Sequence, residues 1–276
     1  MANQAFRDVN TVILAGVAMQ GVQRVSLANE GAVINFNSDA GAYRQDVGLT
    51  KQVASVDIER LSSDKLRDLV SAVFTSGSTG SVTFGRVQRA RISERGTVLR
   101  DSGDADAWIR YVGVTDIGGD CEVNFRDLAQ AKSALLAKGR KGTLTITVPK
   151  PRTGFGLPAQ TATETHKVTC MVAQHEVSAA HGELNDGRTR FEMYGSSDPW
   201  TASGATGGKA LKPVSVGSRG SAKWTAPAAD AGAGEATTVT GGIVTEIEVT
   251  LEHGNYARAT YKLEAGSNDG QTSPVS

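Results

Sequence analysis

Apolar and polar residues alternate in short segments through the first part of the chain, and turn-forming residues separate these segments. From Val53 to Ile58, for example, alternate residues fall into two sets, one of them more apolar than the other. A period of two residues is typical of a strand, because successive side chains point to opposite faces of a sheet. The pattern predicts four strands here, at Thr11–Leu14, Val22–Ala28, Ala32–Phe36 and Val53–Ile58.

The period of the pattern changes between Leu61 and Phe74, where apolar residues gather on one face of a helix. Ser62 or Ser63 stands before Asp64 as a candidate N-cap. A narrower apolar stripe, ended by Gly139, runs from Leu128 to Ala137. The sequence therefore predicts one or two short helices beside the strands.

Three segments share one layout, which suggests an internal repeat. Each opens with a glycine and a short strand: Gly80–Phe84, Gly142–Ile146 and Gly220–Trp224. Each closes with a predicted hairpin. In the first segment Ala107–Val114 pairs with Glu122–Phe125 around a turn at Gly118–Asp120, and in the second Lys167–Val177 pairs with Thr189–Tyr194 around a turn at His181–Glu183. In the third, Ile243–Leu251 pairs with Arg258–Leu263 around a turn at His253–Asn255. We favour duplication. The alternative is that any antiparallel sheet contains glycine-led strands and hairpins.

These elements predict a mainly β fold of antiparallel β-sandwich or barrel modules with one or two short flanking helices. We expect a first β domain at residues 1–128, a second with a diverged repeat at 129–266, and a disordered tail at 267–276. Linkers or loops are expected at Pro149–Thr163, Ser196–Gly208 and Ala226–Ala236. Seven residues are predicted to lie in the core: Phe84, Val123, Phe125, Ile146, Phe191, Tyr261 and Leu263.

Composition supports the β class and excludes some partners. Glycine supplies 32 of the 276 residues, which indicates many tight turns. Lys and Arg total 29 and Asp and Glu also total 29, so no global field favours nucleic acid or an anionic membrane. No apolar run reaches the ~18 residues of a membrane-spanning helix. We expect a soluble protein, with Val12–Met19 as a first strand rather than a signal peptide.

The glycine-rich motifs do not predict a cofactor site. Ser203–Ala210 resembles a phosphate-binding loop, but it lacks the leading glycine and has Ala210 where a magnesium-binding hydroxyl is needed. Gly154–Ala159 fits a loose dinucleotide fingerprint, but Pro158 interrupts it and no βαβ pattern surrounds it. No Gly-x-Ser-x-Gly elbow is present. We therefore predict neither a cofactor nor an enzymatic activity.

Histidine and cysteine positions predict neither a metal site nor a catalytic pair. His175, Glu176, His181 and Glu183 lack zinc-helix spacing, since Ala179 stands where a second histidine is needed. We favour hydrated turn histidines. His166 and Cys170 share a strand face, but they lie too far apart for one to activate the other. The two cysteines, Cys121 and Cys170, are expected to be buried reduced thiols in a protein folded in a reducing cytoplasm.

Two groups of basic residues stand out. The first comprises Arg86, Arg89, Arg91 and Arg95, and the second comprises Lys138, Arg140, Lys141, Lys150 and Arg152. Arg89 and Arg91 have alternate spacing, so they could line one strand face and meet phosphates. We favour a solvated face or a subunit contact in which they pair with acidic residues such as Asp101, Asp104 and Asp106.

The order of elements in the first half of the chain resembles that of tail tube and related tail proteins of bacteriophages. The elements are Thr11–Gly31, the Val53–Asp57 alternation, the predicted Leu61–Phe74 helix, GSVTF at 80–84 and a hairpin ending in CEVNF at 121–125. The hairpin that closes the second repeat is similar to the closing hairpin of such proteins. The resemblance implies a β-sandwich with one flanking helix, duplicated in this chain. It also implies a virion protein made in the host cytoplasm.

Such proteins form rings in which sheets of neighbouring copies join into an inner barrel. The resemblance thus implies as partners copies of this chain and other phage tail or capsid proteins, transient passage of DNA through a lumen, and no membrane. Intersubunit contacts are expected at three loops: Ser38–Val47, Thr153–Thr163 and Ser196–Gly208. Two alternatives stay open, a capsid decoration protein and a carbohydrate-binding module. The carbohydrate-binding module is less favoured because the three tryptophans of this chain are scattered along the sequence.

Overall fold

The computed structural model describes residues 4–7, 11–36, 46–66, 70–77, 80–126, 134–148, 164–178, 186–205, 209–225 and 236–276. The fold is mainly β and antiparallel, as the sequence predicts. Within these ranges fifteen strands form: β1 Gln4–Arg7, β2 Thr11–Leu14, β3 Val17–Met19, β4 Val22–Phe36, β5 Asp46–Lys65, β6 Val70–Thr75, β7 Ser81–Asp101, β8 Tyr111–Phe125, β9 Lys141–Val148, β10 Glu164–Ser178, β11 Asp186–Met193, β12 Trp200–Ser203, β13 Arg219–Thr225, β14 Ala236–Glu252 and β15 Tyr256–Ala265.

Six of the strands close into a ring, in the order β7, β6, β9, β10, β11 and β8, because β8 pairs with both β11 and β7. Alternate residues of these strands point into the ring, where four phenylalanines meet. The ring centroids of Phe74 and Phe191 lie 5.1 Å apart, as do those of Phe84 and Phe125. Aromatic packing at such distances adds to the burial of apolar area.

The remaining described strands, apart from β12, extend from β7 as a second group. β14 pairs with β7, and the sheet continues through β15, β5, β4 and β1. Along the edge of β14 that pairs with β7, the N-terminal part of β14 pairs with β13, which leads to β2 and β3. Residues such as Ile58, Val249 and Leu263 bury the inner face of this second group. All seven residues predicted for the core are buried, which confirms that prediction.

The helix predicted between Leu61 and Phe74 is wrong. β5 continues to Lys65 and β6 begins at Val70, and β6 pairs with both β7 and β9. Sheet pairing on both edges of β6 outweighs a weak helical period, and Phe74 is fully buried in the sheet. Ser62 does not cap a helix; its side chain accepts a hydrogen bond from the backbone of Ala257 at 3.0 Å.

The second predicted helix, Leu128–Ala137, falls partly outside the described residues. The part that is described forms one 3-10 turn at Ala134–Leu136. Leu136 is buried, so the apolar stripe does mark a buried position.

Two of the three predicted hairpins are confirmed. β10 pairs with β11, although their turn lies outside the described residues, and β14 pairs with β15 around a turn at His253–Asn255. The first prediction is wrong, because Gly118–Asp120 lies within the continuous strand β8 and the chain reverses instead between β7 and β8. The two strands predicted at 22–28 and 32–36 are likewise one strand, β4.

The predicted boundary at residues 128 and 129 is crossed by strand pairs. β6 pairs with β9, β8 with β11, β7 with β14 and β5 with β15. The pairing of the described strands therefore does not divide into two units at this position.

The tail predicted to be disordered is instead ordered against the sheet. Ser276 and Thr238 exchange backbone hydrogen bonds of 2.9 and 2.6 Å. The Asp269 carboxylate stabilises the turn at residues 267–272. It accepts hydrogen bonds from the Ser267 hydroxyl at 2.6 Å and from the Thr272 amide at 2.8 Å. A Gly-, Ser- and Asp-rich composition here reflects a side-chain-capped turn rather than disorder.

The three predicted linkers have different outcomes. Pro149–Thr163 lies outside the described residues, and so does Ala226–Ala236 apart from Ala236, which begins β14. Ser196–Gly208 contains strand β12, which pairs with β10, and its Trp200 is fully buried. The expectation of a linker there was wrong because a single large apolar residue anchors a segment that is otherwise Gly- and Ser-rich.

Candidate functional site

An ion-paired face covers strands β11, β8, β7, β14, β15 and β5. Arg91 of β7 lies 3.2 Å from Asp120 of β8 and 3.6 Å from Glu248 of β14. Further pairs of this face join Arg258 to Glu59 at 2.9 Å and Arg188 to Glu122 at 2.5 Å. Because neighbouring strands contribute opposite charges, the basic residues are largely neutralised by their own sheet.

The sequence prediction for these basic residues is confirmed only in part. Arg89 and Arg91 do share one face of β7. Arg91 pairs with acidic residues of the sheet, but Asp101, Asp104 and Asp106 are not its partners. Asp106 instead pairs with Arg110 at 2.7 Å, which lowers the pKa of that carboxyl. Lys138, Arg140 and Lys141 are exposed elsewhere, and Lys150 and Arg152 lie outside the described residues.

The outer halves of β7 and β8 form an arm, Thr97–Asp101 paired with Tyr111–Thr115. One face of this arm packs against a small apolar cluster that includes Val53, Ile109 and Ile243. The opposite face carries Leu99 and Tyr111, which are 49% and 50% exposed. Large apolar side chains exposed on the same face often mark an interaction surface.

The arm also has an open backbone edge. The edge of β8 that faces away from β7 pairs with β11 only from Asp120 to Phe125. From Tyr111 to Gly119 this edge pairs with no strand in the described part of the chain and is therefore open. The Arg219 guanidinium covers part of it, donating to the Val112 carbonyl at 3.3 Å and lying 5.1 Å from the centre of the Tyr111 ring. Unpaired N–H and C=O groups on such an edge can pair with another chain.

A buried segment, here called the strap (residues 209–218), crosses between the two strand groups. Arg60 of β5 donates to the carbonyl of Ala210 at 2.5 Å, and the Tyr261 hydroxyl of β15 donates to that of Leu211 at 2.6 Å. From the closed ring, Glu164 of β10 accepts from the amide of Leu211 at 2.8 Å. The strap therefore joins the two groups through buried hydrogen bonds to its backbone.

Three side chains form a polar triad beside the strap: Lys212, Glu94 and Asp198. The Lys212 Nζ lies 3.1 Å from Glu94 Oε2 and 3.0 Å from Asp198 Oδ1, and the Lys212 side chain is 2% exposed. Burial raises the pKa of Glu94 to about 7, while Lys212 opposes the shift. Lys212 also donates to the Trp200 carbonyl and lies 4.6 Å from the centre of the Trp200 ring. Sequence reasoning missed this triad because its members lie far apart in the chain.

His166 and Cys170, considered above as a catalytic pair, have separate structural roles. The His166 Nδ1 accepts a hydrogen bond from the Trp200 indole at 3.1 Å, and burial lowers the histidine pKa to about 4. Cys170 and Cys121 are both buried and unbridged, as predicted. Burial raises the pKa of Cys170 to about 12, so the thiol stays protonated and unreactive at neutral pH.

Those of the remaining candidates that the structure describes do not come together as a site. His175 is on strand β10 rather than in a turn, and its Nδ1 lies 2.9 Å from the Thr189 hydroxyl. His181, Glu183 and residues 154–159 lie outside the described residues. Of the loop-like motif at 203–210, Ser203 ends β12, Ala210 is buried in the strap, and 206–208 are not described.

The described ranges hold no group of three or more His, Cys, Asp or Glu side chains arranged to bind a metal ion. They also contain no helix that is long and apolar enough to cross a bilayer. Comparison with known proteins finds no matching family model and no curated protein of significant sequence similarity.

Proposed function

We propose that this protein is a virion structural protein that self-assembles into rings, as a bacteriophage tail tube or an adjoining tail ring. The observation that carries the proposal is the open edge of β8 beside the exposed Leu99 and Tyr111. A copy of the same chain can supply both a strand for this edge and apolar area for this face. The kind of ring is inferred from the sequence resemblance to phage tail proteins, of which Thr11–Gly31, the Val53–Asp57 strand and the β10–β11 hairpin remain once the predicted helix and the first hairpin are corrected.

The ion-paired face supports the same proposal. A ring that DNA passes through needs a polar inner surface that does not hold phosphates firmly. Arg91 and Arg258, each paired within the sheet, offer little net attraction to a polyanion. We therefore propose that this face lines the lumen and that the arm contacts the neighbouring copy.

Variants of the arm test this proposal. Leu99→Glu and Tyr111→Glu each place a charge on the proposed contact and should convert rings or tubes into monomers, measured by light scattering and electron microscopy. Val177, 37% exposed on β10, provides the control variant Val177→Glu, which should still assemble. The circular dichroism spectrum of each variant should match that of the parent protein, since neither arm residue is buried.

A parent protein that stays monomeric at high concentration, and in the presence of other tail components, would refute the proposal. A monomer that instead binds an assembled capsid would indicate a decoration protein. Assembly that survives both arm substitutions would show that the arm is not the contact.

A further inference from the structure

The polar triad lies apart from the arm and from the ion-paired face, and its three groups are those that amide-bond formation requires. We propose that Lys212 and Asp198 become joined by an isopeptide bond that the folded chain forms within itself, with Glu94 transferring the protons. The proposal is independent of ring assembly, because it involves three side chains of one chain.

The amine and the carboxyl group are already in contact. The Lys212 Nζ lies 3.0 Å from Asp198 Oδ1 and 3.1 Å from Oδ2, which places it within about 3.5 Å of the carbon between them. The backbone of Lys212 belongs to the strap, whose Leu211 amide donates to Glu164. A nucleophile held at this distance reacts as if it were present at a very high concentration.

Two hydrogen-bond donors point at the carboxyl oxygens of Asp198. The Trp200 amide donates to Oδ1 at 2.9 Å, and the Ser215 hydroxyl donates to Oδ2 at 2.8 Å. Negative charge builds up on these oxygens when nitrogen bonds to the carbon. Fixed donors stabilise that charge, as they do in acyl-transfer enzymes.

Glu94 is placed to move protons between the two reacting groups. Its carboxylate is fully buried, and one oxygen lies 3.1 Å from the Lys212 Nζ. Burial raises its pKa to about 7, and the neighbouring Asp198 carboxylate adds to the shift, against the opposing effect of Lys212. A carboxyl group with a pKa near neutrality can accept a proton and return it.

The step is balanced without any further reagent. Glu94 removes a proton from the Lys212 ammonium and passes it to one oxygen of Asp198, and the amine nitrogen then bonds to Cγ of the resulting neutral carboxyl group. A second proton follows from nitrogen to the same oxygen, the C–O bond breaks and one water leaves. The ammonium and carboxylate become an amide that keeps one N–H hydrogen, and Glu94 ends as it began.

Burial favours the product. A buried ion pair carries a large desolvation penalty, and a neutral amide removes both charges. The Lys212 side chain is 2% exposed, whereas Asp198 is 37% exposed, so the water can leave on the Asp198 side. Because Pro199 follows Asp198 and has no N–H, this aspartate cannot lose water by cyclising onto the next amide.

The mass of the intact, denatured full-length protein tests the proposal. The parent protein should be lighter than its sequence by one water. Lys212→Arg, Asp198→Ala and the nearly isosteric Glu94→Gln should each have the full mass expected for their sequence. Lys262→Arg is the matched control, since Lys262 also pairs with a carboxylate, Glu264, at 3.8 Å but its side chain is 32% exposed, and this variant should still lose water.

Tandem mass spectrometry locates the bond. Trypsin cuts after Arg190, Lys209 and Arg219, so residues 191–209 and 210–219 should be recovered as one branched peptide with two N-termini. Fragmentation separates this species from the uncut linear peptide of equal mass, which has one N-terminus.

Two results would overturn the proposal. One is full sequence mass in parent protein whose circular dichroism shows the folded β-sheet, a result that does not depend on whether any variant folds. The other is a water loss that persists in Asp198→Ala, which would assign it to another residue.

Discussion

Buried polar residues hold the strap and strand β12 in place, and each of them bonds to a particular backbone or ring atom. Arg60, Glu164 and His166 are almost fully buried, although none of them is apolar. Their partners are the carbonyl of Ala210, the amide of Leu211 and the indole of Trp200. Groups of this kind cost desolvation energy unless they are bonded, so they favour one arrangement of the strap over others.

The titration of His166 gives a prediction at this scale. Burial, with a smaller effect of Lys212, lowers its pKa to about 4, below the ordinary value of 6.5. Between these pH values the unfolded chain binds the proton and the folded chain does not, so the contribution to stability falls as pH falls through this window. The His166→Gln variant should not show this loss of stability at low pH, because glutamine does not titrate. Its side-chain carbonyl can still accept the hydrogen bond from the Trp200 indole.

We therefore expect the free energy of unfolding of the parent protein to fall by about 2 kcal/mol more than that of His166→Gln when the pH is lowered from 7 to 4.5. Urea unfolding at the two pH values measures the difference. Glu94 also titrates, but it is present in both proteins and largely cancels in the comparison. Glu164 Oε1 lies 3.7 Å from His166 Nε2, so Glu164→Gln is introduced into both proteins to remove its titration. A difference that stays constant with pH would contradict a neutral, buried His166.

Strand β8 depends on the absence of a side chain at one of its glycines. A Cβ on Gly119 would lie 1.9 Å from the backbone oxygen of Ser93 in β7, whereas a Cβ on Gly118 would meet nothing within 4 Å. Of these two adjacent glycines, Gly118 has room for a side chain and Gly119 does not. The difference arises within the pairing of β8 with β7, in which Gly119 is opposite Glu94 and Gly118 is opposite Arg95.

Gly119→Ala should lower the free energy of unfolding by at least about 2 kcal/mol, because backbone of the neighbouring strand must move. Gly118→Ala is the matched control and should be neutral or gain up to about 1 kcal/mol, since alanine loses less conformational entropy than glycine. Chemical denaturation of both variants checks this. Equal tolerance at the two positions would be expected of an exposed turn at Gly118–Asp120 and would contradict a continuous strand.

The sequence predicts strands and core residues more successfully than it predicts where strands end. Alternation identified β2, and the apolar positions Phe84 and Phe191 proved to be core. The same pattern could not reveal that Gly118 and Gly119 lie inside a strand, since glycine also marks turns. It misread residues 61–74 as a helix because pairing with distant strands, such as β9, is not encoded in the local period.

The polar triad was beyond sequence reasoning for a related cause. Glu94 is on β7, Asp198 precedes β12, and Lys212 is in the strap, so only the assembled sheet brings them together. A local signal was nevertheless present. Lys212 stands in a short apolar stretch, where a charged side chain needs a partner if it is buried.

Across the whole molecule, the two halves of the sequence contribute to the same closed ring. Strands β6, β7 and β8 come from residues 1–128, and strands β9, β10 and β11 come from the rest of the chain. The ring core combines Phe74, Phe84 and Phe125 from one half with Phe191 from the other. Neither half can bury this cluster without the other.

Fragments divided at the predicted boundary should therefore fail to fold alone. Residues 1–128 lose the partners of β5, β6, β7 and β8, which leaves open edges and exposed core on both strand groups. We expect each fragment, 1–128 and 129–276, to lack a cooperative unfolding transition by circular dichroism. Co-expression should restore one transition, because the complementary strands can pair. Cooperative folding of 1–128 by itself would instead support an independent first domain and would require its ring to close without β9, β10 and β11.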